Sequence, residues 1–168
     1  MLIDPALDRD ALCAAFDLAR FGRAPARFDE DELARVNSAV VHRLDHARVA
    51  DRLPPGMDAQ TWGVIRPNLA RVADAHIWQQ VITGPIAAPE VDAETRAYLD
   101  RAAQIAADMA WADDPWGTLT QALKDATGRK GKALFMPLRL ALTGHEHGPD
   151  MRALLPLIGR DAAIARLS

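Results

Sequence analysis

The chain has 168 residues, 49% of them hydrophobic and 26% charged, enough for one domain or two small ones and too apolar for disorder throughout. A formal charge of -3 excludes a protein that coats DNA or RNA through bulk positive charge and leaves any nucleic-acid site to a local patch. No apolar run approaches the roughly 18 residues of a bilayer span, and Met1-Leu2-Ile3-Asp4-Pro5 lacks the regions of a signal peptide, so a cytoplasmic protein without membrane contact is expected.

Aromatic residues are scarce at 5%, while Ala and Leu are abundant. That favours helices packed on helices over a sheet, which would want Val, Ile, Thr and Tyr. The expected fold class is all-α. The first predicted helix covers about 8–19, with Ala11, Leu12, Ala15, Phe16 and Ala19 on one face at helical spacing. The lone Cys13 lies in it as a small buried hydrophobe and excludes an internal disulfide. Gly22 ends the helix, and a loop carrying Arg23, Pro25 and Arg27 follows; with Arg20, these arginines are candidate backbone contacts for a nucleic acid, or a solvated loop.

Asp29 is the predicted N-cap of the next helix, with Glu32 at N3 as an acidic capping box and Phe28 stapled on Leu33. Leu33, Val36, Val40 and Leu44 form its expected buried face, and Asp45 could cap a short helix over 46–53 before Pro54-Pro55-Gly56. Trp62, Ile65, Leu69, Val72 and His76 then keep helical spacing over about 58–81, with Pro67 expected to kink or split the run.

Two prolines beside glycine in Thr83-Gly84-Pro85-Ile86-Ala87-Ala88-Pro89 make the best linker, so we place a boundary between a first helical subdomain, 1–83, and a second, 84–168. A helix follows over about 91–110. Asp114-Pro115 opens another as N-cap and N1 residue, and Gly128 closes it. Pro137 to Thr143 reads as a short helix closed by Gly144, Pro149 to Leu157 as one closed near Gly159, with a last turn at 160–167.

The string from Leu123 to Gly144, L-K-D-A-T-G-R-K-G-K-A-L-F-M-P-L-R-L-A-L-T-G, is followed by H-E-H-G-P and L-L-P-L-I-G-R. In order and spacing it resembles the C-terminal signature of bacterial glutamyl-tRNA synthetases. Phe16-Asp17-Leu18-Ala19-Arg20, Phe28-Asp29 and Asn37 are similar, more loosely, to the family's helical segment just after its catalytic half. The family's ATP-site signatures, a His-Ile-Gly-His-like motif and a Lys-Leu-Ser-Lys-Arg-like loop, occur nowhere in these residues. The resemblance therefore implies a tRNA-reading, anticodon-binding part of a glutamate ligase, either a segment of a longer synthetase or a free-standing relative. No cofactor is expected in this chain, ATP and magnesium serving the parent enzyme. The partners implied are tRNA-Glu, with tRNA-Gln as a second candidate, and neither DNA nor membrane.

The resemblance aligns the family's anticodon-contacting arginine on Arg139 and its contacting loop on Gly148, Pro149, Asp150 and Met151. It also puts Asn68 where members that discriminate against the glutamine anticodon carry an arginine. A planar guanidinium suits stacking on a base and forked donation to its edge. Between Lys124 and Arg139, five basic residues, Lys124, Arg129, Lys130, Lys132 and Arg139, face the single Asp125, and this local positive charge could attract phosphates. Arg129, Lys130 and Lys132 fit equally well as a cationic helix C-terminus.

Rival readings are a helical protein-interaction module and a small metal hydrolase built on the histidines. His145-Glu146-His147 does not form the i, i+4 pair of a zinc helix and has no cysteine nearby, which disfavours the second. Trp62, Trp78, Trp111 and Trp116 fall mostly on or beside apolar faces, which favours packing over base stacking.

Overall fold

The computed structural model describes residues 9–20, 22 and 29–168, and all regular structure among them is helical. The chain separates into two compact units, Met1–His76 and Ile77–Ser168, so the division falls inside a helix, Ala75–Thr83. No helix among the described residues is long and apolar enough to cross a membrane.

The first unit opens with α1, Arg9–Ala15, and a 3-10 turn, Leu18–Arg20. Seven residues make a helix too short to present one continuous apolar stripe. The expected buried face is exposed, Leu12 at 59% and Phe16 at 62%, and Cys13 is exposed as well, against the expectation that it is buried. The loop carrying Arg23, Pro25 and Arg27, and Phe28 of the expected staple, lie outside the described residues.

Helix α2, Glu30–Val41, starts where the N-cap signal places it: the Asp29 carboxylate accepts from the N–H groups of Asp31 and Glu32, satisfying two otherwise orphaned donors. Glu32 pairs with Arg35 one turn on, at 2.7 Å. Leu33, expected on the buried face, is 53% exposed, and the helix turns Val41 inward instead.

The expected helix over 46–53 is two successive 3-10 turns, His46–Arg48 and Ala50–Arg52, and the Asp45 side chain makes no capping hydrogen bond. Asp45 instead lies 3.7 Å from Arg66. Pro67 does split the following run. Asp58 caps α3, Ala59–Ile65, which passes into 3-10 turns at Arg66–Asn68 and Val72–Asp74 before α4, Ala75–Thr83, begins. Trp62, Ile65, Leu69 and Val72 are buried as the spacing predicts, whereas His76 is exposed.

The second unit packs five helices after α4: α5, Ala93–Asp108; α6, Pro115–Thr127; α7, Lys132–Thr143; α8, Met151–Ile158; and α9, Arg160–Leu167. Helix α5 packs mainly on α9 and also on α6 and α7, while α6 packs on α8. Leu99, Leu123, Leu138, Leu142, Leu154, Leu155 and Leu167 are fully buried at 0%, the hydrophobic burial that drives such a bundle together. Asp114 caps α6 with Pro115 at its first position, and Gly128 ends it in the left-handed region, as the sequence predicts.

Two boundaries differ from expectation. Pro137 does not begin α7 but sits inside it, five residues past its start, where it removes the i+4 donor to the carbonyl of Ala133, an exposed residue. The last turn is a full helix, α9, with Gly159 as the hinge from α8.

Candidate anticodon-reading loop

The residues singled out around 145–151 come together on one end of the second unit. Helix α7 stops at Gly144, which adopts φ 72°, and its N–H donates to the Leu140 carbonyl. A glycine is needed here because a Cβ is strained at positive φ. Just before it, the fully buried Thr143 hydroxyl donates to the Arg139 carbonyl at 2.7 Å and accepts from the His145 N–H at 3.1 Å. The loop thus leaves the helix on a side-chain bond as well as a backbone one.

Gly148 then lies against the indole of Trp78 from α4, nearest the outer edge of its six-membered ring. A Cβ at this position would stand 2.1 Å from Cη2 and 2.5 Å from Cζ2 of the indole, and φ is +150°; only a residue without a side chain fits so close. The His145 ring lies tilted against the same indole, centroids 5.4 Å apart. Pro149 is buried, and Asp150 turns the chain into α8 by accepting from the Arg152 N–H at 2.9 Å. Met151 is 2% exposed, so its side chain anchors α8 in the core and is not offered to solvent.

Arg139 reaches this loop from about one turn before the end of α7. Its Nη2 donates to the Pro149 carbonyl at 3.1 Å, while Nη1 is buried without a hydrogen-bond partner. Desolvation pulls the pKa of the half-buried guanidinium below its usual range and nearby Asp150 pushes it back up; an arginine so placed stays charged. Among the described residues no carboxylate forms an ion pair with the guanidinium: it holds the loop with Nη2, while the unpartnered Nη1 is enclosed by the fold, a cost that the surrounding packing carries.

The other basic residues divide. Arg129 is engaged: it pairs with Glu94 at 2.5 Å and stacks 4.4 Å from the centroid of the Tyr98 ring, and the Tyr98 hydroxyl donates to the Leu134 carbonyl at 2.7 Å. Burial pushes the Tyr98 pKa up to about 12. Lys130 and Lys132 are exposed, as is Lys124. Lys132 is the first residue of α7, at the positive end of the helix dipole, so the reading of these lysines as a favourable helix C-terminus does not hold for it. Asn68 belongs to the first unit; it is exposed at the end of the turn Arg66–Asn68, which Arg66 ties down by donating to the Leu44 carbonyl at 2.5 Å.

Sequence reasoning missed Thr143 and the part played by Trp78. The Gly-Pro pair marked the turn, but nothing in it shows which ring the glycine lies on, 70 positions away. Arg20 ends an exposed turn. No group of three or more His, Cys, Asp or Glu able to hold a metal occurs among the described residues.

A family model described as an anticodon binding domain matches residues 86–168. The chain is 61% identical over 166 residues to a glutamate–tRNA ligase of Novosphingobium aromaticivorans, covering 99% of this chain and 38% of that protein. It is 59% identical over 165 residues to one of Erythrobacter litoralis, covering 98% and 36%. The chain therefore spans little more than a third of the length of these relatives. A solved glutamate tRNA ligase from Elizabethkingia meningosepticum superposes with a TM-score of 0.71 at 20% identity, over 94% of this chain and 35% of that one, which shows a shared fold. From these matches, this chain belongs to the glutamate–tRNA ligase family and is its C-terminal, anticodon-binding-domain part.

Proposed function

We propose that the chain binds tRNA and reads its anticodon, supplying binding energy and orientation to a glutamate ligase whose chemistry, with ATP and magnesium, is handled outside these residues. The observation that carries this reading is Arg139: a partly exposed guanidinium on the anticodon-binding unit, held beside the 145–150 loop by its bond to the Pro149 carbonyl and paired with no carboxylate among the described residues. Anticodon bases are single-stranded and can be splayed against a rigid, flat donor. Gly148, Pro149 and Asp150 offer backbone beside it, while Lys130 and Lys132 supply phosphate attraction. Arg129 contributes by fixing the Gly128–Gly131 turn through Glu94 and Tyr98.

The expected partner is tRNA-Glu. Asn68, a short neutral side chain on a fixed turn, lacks the charge and reach of an arginine, which favours tolerance of tRNA-Gln as well. Titration of the chain with both transcripts tests this: comparable affinities are expected, and a strong preference for tRNA-Glu would reject it. Arg139→Lys keeps the charge and loses the planar fork. It should weaken binding by about tenfold, the factor that corresponds to ~1.4 kcal/mol, and unchanged affinity would remove Arg139 from the site.

A further inference from the structure

The loop 145–150 is held at more points than a connection of its length requires. Gly144 and Thr143 fix its start, Asp150 caps the helix that follows it, Arg139 grips the Pro149 carbonyl, and the Trp78 indole supports its middle. Loops are ordinarily the mobile part of a domain. Here the exposed residues His145, Glu146, His147 and Asp150 are carried on a backbone that lies directly against the Trp78 indole at Gly148.

Resting on the anticodon-reading function above, we propose that Trp78 is a positioning residue for RNA recognition: its indole, met by Gly148 at Cη2 and Cζ2 and by the tilted His145 ring, preorders the 145–150 loop for the anticodon bases. Trp78 is 6% exposed, so it does not offer its face to a base. Its contribution is to remove the ordering cost that a flexible loop meets on binding. Gly148 is the complement of that ring: a methyl at 148 would meet Cη2 and Cζ2, at the far edge of the indole, and so must lift the loop off its support. At φ +150° that methyl is strained as well as crowded.

The test uses the whole chain and three variants, Gly148→Ala, Trp78→Phe and the double variant. Each is followed by thermal melting, by amide hydrogen exchange across 145–150, and by titration with a tRNA-Glu transcript. Gly148→Ala should melt as a folded protein, exchange faster in the loop and bind about tenfold more weakly, a ~1.4 kcal/mol loss. Trp78→Phe removes the indole edge that Gly148 lies against and should likewise speed exchange in the loop and weaken binding. The double variant should lose less than the two single losses combined, because both changes remove one support; general damage to the core would add up instead. Unchanged exchange or unchanged affinity in either single variant overturns the positioning role, and so does a double variant whose losses are the full sum of the two. If the unaltered chain fails to bind tRNA, the function proposed above fails and the positioning role fails with it; binding by the unaltered chain with no response to Gly148→Ala sinks the positioning role alone.

Discussion

Two side chains show how a residue's role follows from what surrounds it. Arg139 and Arg129 lie ten positions apart in one basic string, yet one holds a loop carbonyl and the other is consumed by Glu94 and the Tyr98 ring. Tyr98→Phe removes the donor to the Leu134 carbonyl and should cost about 1 kcal/mol at neutral pH. The pH dependence has a definite sign. With the folded pKa raised to about 12 and the unfolded phenol near 10, the contribution of the Tyr98 hydroxyl is complete below the unfolded value and is lost as pH climbs through the folded one. Denaturant titrations of the two proteins should differ fully at neutral pH and converge towards pH 12; a constant difference would show that the phenol is not held neutral by the fold. The sequence could flag Arg139 through its resemblance, but not the separate fate of Arg129, because Glu94 stands 35 positions away on another helix.

Helix by helix, legibility tracked how local the signal was. The caps at Asp29, Asp92 and Asp114 and the stops at Gly128 and Gly144 are set by neighbours within a few residues, and the first, third and both stops were readable in the chain. The N-cap bonds hold the Asp92 and Asp58 carboxylates below their usual pKa, chiefly through the Thr95 and Thr61 N–H groups. Their stabilisation is therefore present above the ordinary carboxylate range and lost as pH falls through the lowered values. Pro137 misled because a proline is usually placed at a helix start, whereas burial of Leu134 and Leu138 holds α7 through it. The start of α7 carries a further consequence. Lys132 opposes the dipole there, so Lys132→Glu should stabilise the fold by about 0.5 kcal/mol while weakening tRNA binding and flattening its salt dependence. Loss of stability together with loss of binding would make Lys132 a structural residue instead.

Across the molecule, the all-α class and the leucine-rich core of the second unit followed from composition and periodicity, since both depend on many residues at once. The exposure of Leu12, Phe16 and Cys13 did not, because periodicity shows that an apolar face exists without showing what stands opposite it. The candidate site was legible only in outline: the Gly-Pro turn and Arg139 could be named, while the indole under the turn is brought there by the fold of the whole second unit. The role proposed for this unit is to read unpaired anticodon bases. It is tested most directly by titrating the chain with a tRNA-Glu transcript and with the same transcript whose three anticodon bases are replaced, at one fixed salt concentration. Affinity should fall by at least about tenfold, equivalent to ~1.4 kcal/mol, when the bases are replaced. Equal affinities for the two transcripts would mean that the chain holds only the phosphate backbone, and would contradict that role.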